Sequence, residues 1–209
     1  MNYSIINSGS DGNCTIINGI IAIDLGVSFK KLSPYVDKLE IVMLTHIHQD
    51  HFNKKTIKRL AKERPLVRFA CCDWLVEPLL ELGIDKNRID VCEIGKRYNY
   101  GKFTIIPVKL YHDVPNCGWR LFMGKEKLIY CTDTYTLDGI KAINYDYYLI
   151  EGNYENDEEL RGYAKDCTYY DRVKKTHLSR EYTRNWLLDN MGLKSVYEYM
   201  HKHKEREEK

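Results

Sequence analysis

Short apolar runs alternate with longer amphipathic stretches along the whole chain, a rhythm that predicts strands interleaved with helices. Tyr3 to Asn7, Thr15 to Asn18 and Ile20 to Asp24 read as three short strands divided by Gly-containing turns. Phe29 to Lys38 reads as a short helix before a strand over Glu40 to Leu44. Asn53 to Glu63 carries Ile57, Leu60 and Ala61 at helical spacing. Leu66 to Ala70 returns to strand, and Asp73 to Leu82 reads as a helix closed by Gly83, with Pro78 as an anomaly inside it. The second half repeats the rhythm. Phe103 to Leu110, Trp119 to Met123, Leu128 to Cys131 and Tyr145 to Ile150 are strand-like. Glu155 to Lys175 is polar and Tyr-rich and has no clear period. Ser179 is an N-cap for a helix over Arg180 to Asn190, which Gly192 would terminate. Ser195 to Met200 fits a strand by its Val and Tyr content and a helix by the spacing of Val196, Tyr199, Met200 and His203. Two similar halves of mixed strands and helices imply a layered α/β domain.

Composition narrows the function classes. The 209 residues suit one domain. With 32 Lys+Arg against 30 Asp+Glu, the balance argues against a protein that coats polyanions. The mean hydropathy of −0.50, with no apolar run near the roughly 18 residues of a bilayer span, argues against a membrane protein. The first residues carry no signal-peptide signature, so a cytoplasmic location is expected. Seven scattered cysteines without a Cys-x-x-Cys pair read as reduced thiols, not as a disulfide or thiolate-metal framework.

The strongest chemical signal is Thr45-His46-Ile47-His48-Gln49-Asp50-His51, directly after the apolar run Ile41 to Leu44. A buried strand there delivers three imidazoles and a carboxylate onto one loop. His46 and His48 can point the same way from extended backbone, while Asp50 and His51 follow a turn and can face a second point. That geometry suits two adjacent metal ions, and the donor types favour Zn²⁺, Mn²⁺, Fe or Co over Ca²⁺.

His-x-His-x-Asp-His after a strand resembles the signature of the metallo-β-lactamase superfamily, and the rest of the chain follows its order. Ser8 to Asn13 resembles the early Gly-rich turn of the phosphodiesterase and nuclease branch, which includes tRNase Z-like enzymes. Ile23-Asp24-Leu25-Gly26 is similar to its first acidic motif. His112 follows a long strand, where a further histidine is expected, and Cys131-Thr132-Asp133-Thr134 is similar to the bridging-aspartate motif. The resemblance implies a four-layer αββα sandwich over residues 1–200, followed by a charged tail, 201–209. It further implies that His46, His48 and His112 hold one divalent ion and Asp50 and His51 another, with Asp133 between them, Asp24 orienting a ligand loop, and a shared hydroxide as nucleophile. His177 resembles the branch's proton-donor histidine, and Glu151 the carboxylate that orients it, so Asp50, His177 and Glu151 are the expected catalytic residues. His201 is the expected last ligand, with His203, or His177 itself, left open as alternatives. Asn153-Tyr154 stands where the nuclease-like relatives carry Asn-His.

A metal-dependent phosphodiesterase is therefore expected, with two divalent ions (Zn²⁺ or Mn²⁺). Its expected substrate is a small phosphodiester, a cyclic nucleotide above all, as in the compact phage-encoded enzymes that destroy such signals of antiviral defence (anti-Pycsar enzymes). A nuclease acting on DNA or RNA ends is the alternative, and a thioester or lactone hydrolase of glyoxalase type a further one. A homodimer is compatible with the chain's size, and the Tyr-rich segment Tyr163 to Tyr170 offers a stacking surface for a base.

Overall fold

The computed structural model describes residues 1–164 and 166–202; His203, the alternative ligand, and the rest of the tail lie outside the described residues. Two six-stranded sheets form the centre. The first contains β1 (Tyr3–Asn7), β2 (Cys14–Ile17), β3 (Ile21–Ile23), β4 (Ile41–Met43), β5 (Arg68–Cys71) and β6 (Ile89–Val91), in that spatial order. The second runs from β12 (Val196–Met200) through β11 (Tyr147–Glu151), β10 (Glu126–Cys131), β9 (Pro115–Met123) and β8 (Thr104–Tyr111) to β7 (Tyr98–Asn99).

The layering follows from which residue of each strand faces which way. Ile21, Ile23, Ile41, Met43 and Ala70 of the first sheet meet Ile105, Trp119, Leu121, Leu128, Tyr130 and Leu149 of the second in one buried cluster. Their neighbours Ala22, Val42 and Phe69 point the other way, onto α1 (Phe29–Leu32), α2 (Lys54–Glu63) and α3 (Val76–Glu81). On the far side, Ile129, Cys131, Tyr148 and Ile150 pack with Leu187 of α6 (Arg180–Asn190). Period-two alternation with both faces apolar is what a strand buried between a helix layer and another sheet requires. The result is helix, sheet, sheet, helix.

The departures from the sequence expectation have local causes. Phe29 to Lys38 divides into α1 and a 3₁₀ turn over Val36–Lys38. Asp73–Leu75 is also 3₁₀, so α3 starts at Val76 and Pro78 occupies its first turn, where no intrahelical donor is needed. β9 begins at Pro115 instead of Trp119, and the short strands β6 and β7 were not anticipated. Ser195 to Met200 resolves as a strand, because β12 pairs in parallel with β11 from Tyr147↔Val196 to Glu151↔Met200. The stretch without a clear period holds two helices, α4 (Asp157–Tyr163) and α5 (Cys167–Thr176). Each is started by a side-chain cap, Asn156 accepting from Glu159 N and Asp166 from Tyr169 N. They pack on a small cluster of their own, Tyr154, Leu160 and Val173. All seven cysteines are free. Among the described residues no helix is long and apolar enough to cross a membrane.

β3 to β6 run parallel, as do β10 to β12, and β8 shares the direction of β10 through two antiparallel steps. Six of these strands carry site residues at their carboxyl ends, on one edge. Asp24 follows β3, the Thr45 to His51 loop follows β4, His112 follows β8, Asp133 lies just past β10, Glu151 ends β11 and His201 follows β12. The carboxyl ends of parallel strands are where open α/β sheets place their ligands.

Candidate metal centre

The nine side chains expected as ligands or catalytic groups, His46, His48, Asp50, His51, His112, Asp133, Glu151, His177 and His201, meet on that edge. Three groups of donor atoms, each within 4.8 Å of one another, could hold a cation: His46, His48 and His112; Asp50, His51 and His201; and His46, His51 and Asp133. A fourth joins Asp133, Glu151, His177 and His201. Asp133 links them through both oxygens. Its Oδ2 lies 2.9 Å from both His51 Nε2 and His201 Nδ1, and its Oδ1 lies 3.8 Å from both His112 Nε2 and His177 Nδ1.

Each imidazole is set by a neighbour. Asp24, fully buried, accepts from Thr45 N at 2.9 Å, from Thr45 Oγ1 at 3.0 Å and from His51 Nδ1 at 2.7 Å. One carboxylate thus ties the β4 loop down and turns His51 Nε2 towards Asp133. His112 Nδ1 donates to the Thr176 carbonyl at 3.0 Å, which leaves Nε2 as its free lone pair. His201 is held by its backbone: its N–H donates to Ser8 Oγ at 2.6 Å and its carbonyl accepts from Asn153 Nδ2 at 3.0 Å. Asn116 Nδ2 supports the Asp133 carbonyl. Asp24, Asp133 and His201 all adopt left-handed backbone, with φ of 59°, 57° and 51°. Such conformations cost non-glycine residues roughly 1–3 kcal/mol each and gather at functional sites.

Thr45, Asn116 and Thr176 are positions that sequence reasoning missed. Each works through a group on a distant segment, and no local pattern announces that.

The electrostatics fit a cation. His46 Nε2 is buried with no hydrogen-bond partner, and burial, then the nearby His51, holds the His46 ring neutral. Burial does the same for His112. His48 Nδ1 faces the free lone pair of His112 Nε2 at 3.3 Å, while His48 Nε2 lies 3.3 Å from the Asp113 carboxylate, which can only accept. The same Asp113 oxygen lies 3.1 Å from His112 Nε2, so the two rings approach each other beside one carboxylate, with His46 Nε2 unpartnered nearby. Burial alone would raise the Asp133 carboxyl, yet His201 and His51 hold it well below the usual carboxylate range. His46 and His112 held neutral beside an ionised Asp133 are donor types that Zn²⁺ and Mn²⁺ accept.

Beside this cluster sits a second arrangement. Glu151, fully buried, contacts His177 Nδ1 at 2.6 Å through Oε1, and its Oε2 accepts from Thr134 N at 2.9 Å. Burial would lower the His177 pKa, but Glu151, and after it Asp133, outweigh that and raise it to about 9. A cavity of about 310 Å³ opens over the whole group, with His48, Asp50, His112, Asp133, His177 and His201 in its wall.

The turn that carries Asp24 packs without slack. A Cβ on Gly26 would stand 1.7 Å from the Asp50 carbonyl oxygen and 2.7 Å from Asn13 N, and neither backbone can yield without moving Asp50. Gly26→Ala is expected to destabilise the fold by about 3 kcal/mol or more, a fall of roughly 6–12 °C in Tm for a chain of this size. Thermal unfolding of the two proteins checks it.

A family model described as the beta-lactamase superfamily domain matches residues 21–196. A comparison with curated protein sequences yields no match. Among solved structures, the metallo-β-lactamase fold protein YhfI from Bacillus subtilis is similar over 95% of this chain and 96% of its own, at 19% identity and a TM-score of 0.66. The short form of human tRNase Z is similar over 98% and 93%, at 12% identity and a TM-score of 0.73. A diphosphatase of the PhnP family is similar over 96% and 85%, at 14% identity and a TM-score of 0.67. With the family model spanning both halves, and two sheets between helices that close on a His/Asp cluster, the chain belongs to the beta-lactamase superfamily and carries the metallo-β-lactamase fold.

Proposed function

We propose that this protein is a metal-dependent phosphodiesterase acting on a small phosphodiester, with cyclic nucleotides as its first candidates. The observation that carries the reading is the Glu151–His177 pair, set against the same Asp133 carboxylate that joins the two donor groups. Fold neighbours that include a tRNase and a diphosphatase lend it support. His46, His48 and His112 would hold one divalent ion and Asp50, His51 and His201 a second, with Asp133 within reach of both groups. Bound there, such ions supply positive charge to the phosphoryl oxygens and lower the pKa of a coordinated water.

The chain's own residues do the rest. Asp24 and Thr176 keep His51 and His112 in the tautomers that leave Nε2 free. Glu151 keeps a proton on His177 at neutral pH, and the ring faces the cavity from which a leaving alkoxide must take that proton. A donor of this kind matters most when the leaving group is a poor one, as the ribose oxygen of a nucleotide is. Burial of His46, His51, Asp24 and Glu151 keeps bulk water off the supporting hydrogen bonds.

The test is a screen of purified protein with Mn²⁺ or Zn²⁺ against 3′,5′- and 2′,3′-cyclic nucleotides, single-stranded DNA and RNA, and a thioester. The account expects cyclic-nucleotide turnover whose KM changes little with salt. Cleavage of only the polymers, with affinity falling steeply as salt rises, would move the assignment to a nuclease. Turnover of the thioester alone would overturn it.

A further inference from the structure

One wall of the cavity is not explained by the metal cluster. Tyr169, Arg172, Val173 and Thr176 line it from α5, at the i, i+3, i+4 and i+7 spacing of a single helix face. That face is fixed to the cluster at its carboxyl end, where the Thr176 carbonyl accepts from His112 and the helix caps onto His177. At the other end the Tyr169 ring stands half-buried, with the Arg172 guanidinium 5.4 Å from its centre. Eight residues of helical rise, about 12 Å, separate Tyr169 from the proton donor. Among the described residues that line this cavity, Arg172 is the one Lys or Arg, and it shares the lining with His48, Asp50, Asp113 and Asp133. α4 and α5 pack on their own small cluster, Tyr154, Leu160 and Val173, so this wall is an addition to the central sandwich.

Resting on the phosphodiesterase reading, we propose that this face of α5 selects a nucleotide: Tyr169 stacks on the base and Arg172 pairs with a non-bridging oxygen of the phosphodiester. An aromatic face accepts any base, and stacking contributes about 1–3 kcal/mol per base. Arg supplies a charge-assisted contact to the phosphodiester from the α5 wall of the cavity. A cavity of about 310 Å³ lies at the small end of ligand sites and admits one nucleotide, not a duplex.

The test compares two substrates with the same leaving group, a nucleoside 5′-(p-nitrophenyl) phosphate and methyl p-nitrophenyl phosphate, in metal-replete protein. Tyr169→Ala should lower kcat/KM for the nucleoside ester relative to the methyl ester by roughly 10- to 100-fold, the range that stacking energy converts to, and mostly through KM. Tyr169→Leu, which keeps the apolar packing but not the π-face, should fall likewise, and Tyr169→Phe should retain the preference. Arg172→Ala should instead weaken both esters to a similar degree, with partial recovery in Arg172→Lys. An unchanged ratio in both Tyr169→Ala and Tyr169→Leu overturns the inference while leaving the phosphodiesterase reading in place. Absence of turnover of either ester by the wild-type protein sinks that reading itself.

Discussion

Replacing Asp133 with Ala is expected to remove turnover of bis(p-nitrophenyl) phosphate by about 10³-fold or more and to reduce bound metal from two ions per chain to one or fewer. The carboxylate is 2% exposed, with one oxygen 2.9 Å from His51 and His201 and the other 3.8 Å from His112. No other side chain reaches both donor groups in that way among the described residues. Two cations close together repel each other, and the shared anion offsets that repulsion. Under the proposed two-ion reading, its removal should release the second ion and several kcal/mol of stabilisation of the attacked phosphoryl group, at about 1.36 kcal/mol per tenfold of rate. Asp133→Asn keeps the shape and the Asn116 contact to the backbone but not the charge, so it should bind metal almost as poorly. Metal analysis and steady-state rates on the same samples check both statements. Full activity in Asp133→Ala would contradict the assignment.

His177→Ala should show an effect that depends on the leaving group. General acid catalysis contributes about 10²–10⁴-fold where the departing oxygen is strongly basic. A cyclic nucleotide, which expels a ribose alkoxide, should therefore lose turnover by that factor. A p-nitrophenyl ester, whose leaving group departs without a proton, should lose less than about tenfold. Glu151→Gln should show the same pattern more weakly, because the imidazole would remain in place but lose the partner that raises its pKa to about 9. Equal losses on both substrates would instead assign His177 to metal binding, the alternative that its place in the Asp133, Glu151 and His201 group allows. The comparison of substrates decides between a proton donor and a ligand, which the loss of activity alone cannot do.

The parts of this site that were legible from the sequence share one property: their geometry is local. His46, His48, Asp50 and His51 sit on one loop, so strand alternation and a turn suffice to aim them. His112 and Asp133 each follow a strand, but their roles came from the resemblance to the family's motif order. His201 was harder, because its position depends on β12 joining the sheet beside β11, and the spacing of Val196, Tyr199 and Met200 served a helix equally well. The Asp24–Thr45–His51 triangle spans residues 24 to 51 and the Thr176–His112 bond spans 112 to 176. Contacts of that kind exist only once the sheets are assembled.

The helices over 157–176 were illegible for a related reason. α4 and α5 lay few apolar side chains on a core, chiefly Leu160 and Val173, so no strong period marks them, and their capping residues Asn156 and Asp166 were the available signs. β6 and β7 are three and two residues long and stand at sheet edges, where short strands leave little alternation to read. Polar, Tyr-bearing α5 is also the element placed against the cavity, and a surface that must meet a polar ligand does not carry the apolar stripe of a core helix.

The central claim is that two cations share the Asp133 carboxylate. Anomalous diffraction from crystals grown with excess Zn²⁺ or Mn²⁺ tests it most directly. The account predicts two peaks, one among His46, His48 and His112 and the other among Asp50, His51 and His201, each about 2.0–2.2 Å from an oxygen of Asp133. A single peak, or peaks that leave Asp133 uncoordinated, would contradict it.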